Sequence, residues 1–536
     1  MTPPIPRPWT KDPLAAPGDT HVRFGKMPLP SPSVVHSTPG FYADAAEAAR
    51  ELLVASHFYH IFFNLKGFHN HLSHHVLAAL AMGVPAHFFA VIYEHSLATT
   101  LDPSFKLNRK PSTSESKPDL QPITEDNWTE RLGRMEAYWP YVSFLTDQLE
   151  QHGIGATLER FVFSEEANRP GVEMAGRWVG GLLHPLIHCG YGAEFDLLPV
   201  VAEGLAMAAI TENYSSAMMP GGWDANFPSE PSATPSPDPS LSLFSITTLM
   251  ALDDRLAPGT ATKHKGQNLR ETVLGDAGKL ILDEYAARFV ITAHDVAPPD
   301  FAGRGGWNKK INELAWFTTA LLGATSRPGY KTKKHDFLLV HVLNSTIFLP
   351  ALFAVLTPLS RARLLHVFTR AALIYWVAQG RAPLHVAGTL NATSDRLPPS
   401  APSQVQPEAK EMLNDVGGDP WGPLYDVASY HLDEHLVKAV RTLSWHSSRL
   451  RHVAAGSLKL DDEAQKALDA KAKETGRPAS ELGAWRDLDQ LDGSAFARTA
   501  VQLFESIGMV FEGDNKWSYG GPGFDEEWPE SDKVAK

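Results

Sequence analysis

The sequence predicts an all-α fold: a single large multi-helix domain with proline-rich loop insertions. Two observations carry that prediction. Apolar residues recur at a spacing near 3.6 through most of the chain, and no run alternates in the way a half-buried strand does. The glycine fingerprints that open βαβ units, GxGxxG and the Walker loop, are missing, as is the GxSxG elbow. The 536 residues are 43% hydrophobic and 20% charged, far from disordered composition, so a large core is expected.

Residues 1–33 are proline-rich and read as an extended segment. Alanine and leucine between Tyr42 and Leu65 give a first helix, closed by Gly67. Leu72, Val76, Leu77, Leu80 and Ala81 set a second over about 70–82. The same texture returns at 128–150, 196–215, 270–293, 308–323, 336–356, 360–379, 424–446 and 494–508, which places an all-helical catalytic domain over 34–515. Segments near 102–124, 226–242 and 391–411 are dense in Pro, Ser, Thr and Asp and cannot bury enough apolar surface to offset ordering, so they read as exposed insertions. Asp461 to Glu481 reads as a surface helix, and 516–536 as an acidic tail, loosely held from Gly520 onward. Phe337 to Leu356 has the length of a membrane span but carries His341, Asn344, Ser345, Thr346 and Pro350. It is therefore read as a buried core helix, and no membrane partner is expected.

The 48 basic against 61 acidic side chains leave a formal charge of −13, which argues against nucleic acid as a partner. The lone cysteine, Cys189, allows neither an intramolecular disulfide nor a cysteine zinc cluster. The N-terminus lacks the apolar region of a secretory signal, and a reducing, cytoplasmic location is expected. Against this background the 23 histidines direct attention to metal binding.

Four blocks hold some of them in helical register. In the first, His71 and His75 stand four apart and can share a ligand, whereas His74 projects about 100° away from His75. In the second, His184 and His188 flank one turn, with Pro185 suited to the first turn of a helix and His184 pushed out of the α region. Glycines on both sides permit close backbone approach. In the third, His341, Asn344 and Ser345 form a polar row that must find partners. In the fourth, His431, His435 and Lys438 fall at i, i+4 and i+7 on the inward face. For the histidines the ordinary alternative is a hydrogen-bonded core residue or a tight helix crossing. For Lys438 it is a surface ion pair with Glu434, four residues earlier. The sharper reading is a buried neutral amine, which can take up carbon dioxide as a carbamate.

Phe68-His-Asn-His-Leu-Ser-His-His, Gly181-Leu-Leu-His-Pro-Leu-Ile-His-Cys-Gly-Tyr-Gly-Ala-Glu-Phe, Asp336-Phe-Leu-Leu-Val-His with Ile347-Phe-Leu-Pro, and Asp433-Glu-His-Leu-Val-Lys-Ala-Val-Arg resemble the questin oxidase-like family, over roughly residues 40 to 450. The resemblance implies a helical oxygenase that opens a ring of an anthraquinone or related aromatic polyketide in secondary metabolism, by Baeyer–Villiger-type chemistry or C–C cleavage. It also implies mononuclear non-haem Fe(II) held by histidines and a carboxylated lysine. Carried onto this chain, the candidates are His75, His184 or His188, His341, His435 and Lys438, with His431 less firmly placed. Tyr191 and Asn344 are the candidate residues facing substrate. No flavin is expected, because dinucleotide fingerprints are missing, and an anionic ligand would offset the charge of Fe(II) among neutral imidazoles. Glu194, Asp433 or Glu434 are the alternatives for that anion. The partners implied are a small aromatic polyketide and O2, while the use of NADPH as reductant and the oligomeric state stay open. Two rival readings stand beside this one: a metal-dependent helical phosphohydrolase built on His294-Asp295 or His335-Asp336, and a non-catalytic helical binding protein.

Overall fold

Helix formation follows the apolar period, and the helices end where proline, glycine or a capping carboxylate intervenes. A computed structural model describes residues 28–30, 43–64, 67–101, 122–212, 240–262, 268–297, 309–397, 404, 419–513 and 516–534. Most of the N-terminal segment and of the three insertions expected near 102–124, 226–242 and 391–411 lies outside the described residues. The helices are α1 Ala43–His57, α2 Leu72–Ala81, α3 Phe88–Thr99, α4 Tyr138–Leu158, α5 Met174–Val179, α6 His184–Phe195, α7 Leu198–Ile210, α8 Leu243–Leu252, α9 Asn268–Leu274 and α10 Asp276–Leu280. They continue with α11 Lys309–Gly323, α12 Phe337–Ser345, α13 Leu349–Val355, α14 Pro358–Ala378, α15 Trp421–Ser429, α16 Glu434–Leu450, α17 Asp462–Thr475 and α18 Ala495–Ile507. The fold is all-α. The strands among the described residues are a two-residue parallel pair, β1 Leu384–His385 and β2 Trp485–Arg486. Two compact units carry these elements: residues up to 213 with 350–356 and 429–438 form one, and the remainder the other.

In the first unit α1 packs on α2, and α7 packs against both α4 and α6. The first predicted helix ends at His57, short of Leu65, because the chain reverses. Phe62 pairs with His69, the Asn70 amide donates to Ile61 O at 2.7 Å, and Gly67 supplies a left-handed turn. α6 and α7 approach through glycine. A Cβ on Gly192 would lie 2.7 Å from Val201 N, and one on Gly204 would lie 2.6 Å from Cys189 Sγ. α6 also starts differently from expectation. His184 adopts helical angles, and the departure falls instead on Leu182 and Leu183, both left-handed at φ 57° and 64°. Such angles cost roughly 1–2 kcal/mol per residue outside glycine, so this turn is strained.

The predicted helix at 424–446 is likewise divided. Asp433 Oδ1 accepts from the amides of His435 at 2.9 Å and Leu436 at 3.1 Å, which caps α16 and starts it at Glu434. His431 therefore precedes the helix, and of the three only His435 and Lys438 lie within it.

In the second unit α11 packs on α12 and α18, and α12 on α14. Pro350 has no amide to continue the ladder, and the helix predicted over 336–356 becomes α12, a 3-10 turn at Thr346–Phe348 and α13. The apolar stretch Phe337–Val355 is 83% buried, as a core segment should be. Asp336 caps α12 by accepting from Leu338 N at 2.8 Å and Leu339 N at 3.0 Å, and it accepts from the Gln379 amide as well. His335 faces Ser506 Oγ at 2.7 Å, so the His335-Asp336 pair is committed to structure. In the other pair His294 is exposed, and Asp295 accepts from Thr292 N. The phosphohydrolase reading thereby loses both of its supports.

The tail corrects another expectation. Trp517, Phe524 and Trp528 are buried, and Trp528 Nε1 donates to Pro522 O at 2.9 Å beneath the Arg327 guanidinium. Three aromatic anchors outweigh the acidic surroundings, and 516–534 is packed rather than loose.

Two consequences can be measured. Gly204→Ala is expected to destabilise the protein by about 1–3 kcal/mol, since the new methyl meets backbone that cannot yield, and a lower denaturant midpoint would report it. Burial raises the Asp336 carboxyl to about 6, against the opposing pull of its amide donors. The folded state thus holds this proton more tightly than the unfolded chain does. The stabilisation is full below the ordinary carboxyl range, about pH 4, and is lost as pH rises through about 6. The thermal midpoint of the parent relative to Asp336→Asn should therefore fall between pH 5 and 7.5; a constant difference would refute the assignment.

Candidate metal centre

Three imidazoles of the first unit converge, each from a different backbone setting. The strained Gly181–Leu183 turn places the Gly181 carbonyl 2.7 Å from His184 Nδ1. A carbonyl only accepts, so Nδ1 carries the proton and Nε2 the lone pair. His71 stands at the N-terminus of α2 and His435 in the first turn of α16. Behind both rings lies one carboxylate: Glu434 Oε1 is 3.4 Å from His71 Nδ1 and 3.1 Å from His435 Nδ1. The same tautomer follows for these two, because an ionised carboxylate also only accepts. Burial pushes the Glu434 carboxyl up, but His435, His71 and Lys438 more than offset it and hold it well below its usual range.

On the opposite side the lone pairs meet. His71 Nε2 lies 2.7 Å from His184 Nε2, and His71, His184 and His435 each bring a ring nitrogen within 4.8 Å of the others. Two lone pairs at such a distance repel unless a proton or a cation stands between them. Donors about 2.1 Å from one ion can lie up to about 4.2 Å apart, a span comparable to that of this cluster. Burial, with the Lys438 charge next, pushes His71 well below its usual pKa and keeps it neutral, the form that binds a metal. The residues present fit a divalent ion. Acceptors behind Nδ1 are the arrangement that orients metal-bound histidines in general.

Lys438 is 2% exposed, one turn beyond His435, and burial lowers its ammonium to about 8 against the opposing charges of Glu434 and Asp433. The exposed surface pair is excluded. The Lys438 charge adds to burial in lowering the pKa values of His69, His71 and His74.

Several other predicted residues of the first unit are engaged by neighbours of their own. His75 lies outside the cluster, with Nε2 3.2 Å from His431 O and its pKa lowered to about 3, chiefly by burial. His71, paired with His75 in the sequence reading but left out of the candidates, takes the place beside His184. His431 is buried, and its Nδ1 accepts from Asp433 N at 3.0 Å. His188 Nε2 lies 2.7 Å from Glu203 Oε2, and Tyr191 stacks on His74 with ring centres 5.3 Å apart. Glu194 is buried on α6, while Asp433 is occupied as a helix cap. His341 and Asn344 belong to the second unit and are buried on α12. There His341 repeats the pattern, with Nδ1 2.6 Å from Phe337 O and the lone pair on Nε2. The sequence reading set His74 aside as pointing away from His75 and passed over Glu203. A signal for Glu203 was present, as the lone charge in Leu-Pro-Val-Val-Ala-Glu-Gly-Leu-Ala-Met.

Comparison with known proteins agrees with these blocks. The profile of the questin oxidase-like family matches residues 68–443, well over half of the chain. A questin oxidase of Aspergillus fumigatus is 26% identical, over 90% of this chain and 93% of its own length. A Baeyer–Villiger oxidase of Pestalotiopsis fici is 27% identical over 74% of this chain and 80% of its own, and a Baeyer–Villiger monooxygenase of Aspergillus aculeatus 24% over 93% of both. The matched region contains His71, His184, His435 and Lys438, and the chain belongs to the questin oxidase-like family of oxidoreductases.

Proposed function

We propose that the protein is a non-haem iron(II) oxygenase that opens a ring of an anthraquinone or related aromatic polyketide with O2. One observation carries the metal: buried imidazoles anchored through Nδ1 whose Nε2 atoms face each other at 2.7 Å. The names of the relatives support the reaction, since a Baeyer–Villiger oxidation inserts oxygen beside a carbonyl and turns a cyclic ketone into a lactone that opens. For one oxygen atom inserted, the other leaves as water, and a reductant such as NADPH supplies the two electrons. Iron(II), when bound, supplies the one-electron chemistry that O2 requires.

His71, His184 and His435 would hold the ion, with His341 joining them on the strength of its block and its anchored Nδ1. Lys438, carboxylated, would add an anionic oxygen that lowers the desolvation penalty of a dipositive ion. Glu434 keeps two rings turned, and Asn344 and Tyr191 are proposed to face the substrate. The buried Cys189 suits a reducing, cytoplasmic setting.

Substituting His71, His184, His435 or His341 by alanine is expected to remove iron and turnover together, whereas His75→Ala should keep the iron. Elemental analysis of each purified variant decides, and a His71→Ala protein with full iron and full rate would sink the reading. Lys438→Ala should lose at least tenfold in iron affinity or rate, with partial recovery in bicarbonate or a short carboxylic acid. A mass spectrum of the native protein without the 44 Da of bound carbon dioxide, about the mass of one CO2, together with unaffected Lys438→Ala kinetics, would rule the carbamate out.

A further inference from the structure

α7 is apolar along its length apart from Glu203, which is 5% exposed. A carboxylate in that position must be held, and two helices hold it. Its Oε1 accepts a hydrogen bond from Nδ1 of His57 at the end of α1, and its Oε2 lies 2.7 Å from His188 Nε2 on α6. His188 Nδ1 in turn lies 2.9 Å from His74 Nε2 on α2. Burial pushes the Glu203 carboxyl up, but the charge of His57 and the hydrogen bonds of both histidines outweigh it and hold it at about 2, so the group is an anion.

An anion that only accepts dictates the protons along the row. His57 donates from Nδ1 and His188 from Nε2. When His188 carries a single proton, that proton sits on Nε2 facing the carboxylate, so His74 Nε2 donates to the bare His188 Nδ1 and the lone pair of His74 is left on Nδ1. That atom is buried and has no hydrogen-bond partner among the described residues. The His74 ring stands 5.7 Å from that of His71 and 6.3 Å from that of His184, centre to centre, beside the two imidazoles whose Nε2 atoms face each other.

We propose that Glu203 is a positioning residue for the metal centre: through His188 it fixes His74 as the Nε2–H tautomer, keeps a buried acceptor next to His71 and His184, and sets a fixed negative charge behind the cation. The proposal rests on the iron reading above. Glu203 touches none of the cluster imidazoles and acts only through His188 and His74. The acceptor it maintains suits a hydroxyl group, whether of water or of a phenol, brought to the cluster.

The test uses the full-length protein with Fe(II) as the probe. In metal-free protein labelled with 15N-histidine, long-range proton–nitrogen spectra should show His74 and His188 protonated at Nε2, with the signals assigned through His74→Gln and His188→Gln. Glu203→Leu should abolish that preference. Glu203→Gln, which keeps the shape and removes the charge, should weaken Fe(II) binding about tenfold or more, in the range seen when groups that orient metal ligands are lost. Protonation of His74 or His188 at Nδ1 in the parent would overturn the proposal, as would Fe(II) affinity of Glu203→Gln within twofold of the parent. If Glu203→Leu does not fold, the parent spectra and Glu203→Gln decide alone. A parent that holds iron beside an unaffected Glu203→Gln removes the role of Glu203 and leaves the iron reading standing; a parent that holds none removes both.

Discussion

The direction in which each imidazole points is the constraint on which the site depends. An imidazole offers one lone pair when neutral, and a metal centre forms only if that lone pair faces inward. Here the choice is made from behind, by the Gly181 carbonyl for His184 and by Glu434 for both His71 and His435. Neither acceptor is placed cheaply. The carbonyl is delivered by two left-handed leucines, and the carboxylate is mostly withdrawn from water, so strain and desolvation in the surroundings hold the pocket in a state that neutral imidazoles alone would avoid.

The rest of the first unit serves this arrangement. The close approach of α6 and α7 at Gly192 and Gly204 brings the helix of His184 and His188 against the helix of Glu203, and the reversal at Gly67 carries the start of α2 to the same place. Burial then acts twice. It keeps His69, His71, His74 and His75 uncharged at neutral pH, and it brings Lys438 toward the neutral amine. Removing water therefore prepares bases rather than merely sealing a core.

The helical class was legible in the sequence because a spacing of 3.6 depends on local order alone. His184, His435 and Lys438 were legible for the same reason, since they lie in motif blocks on inward faces. What escaped was whatever depends on where a helix begins. His71 and His75 share a face by arithmetic, yet His71 sits at the helix start and turns toward His184, while His75, one turn on, is taken by the His431 carbonyl. The break at Asp433 separated His431 from His435 in a way that no periodicity announces. Glu203 announced itself as a charge in an apolar run, but its partners come from α1 and α6, and tertiary pairings of that kind are not written in local spacing.

The packed tail of the second unit bears on how the chain reaches this state. The Phe337 amide, at the entrance to α12, donates to Ser518 O, and nearby Thr332 bonds to Asp532 across 200 residues. Contacts of such long range form late, after a large loop has been closed against its entropy. The helix that carries His341 thus has an entrance that remains unfinished until a distant part of the chain has been synthesised and has docked. Through that interval an apolar helix is without part of its cover, and chaperone demand during production should concentrate there.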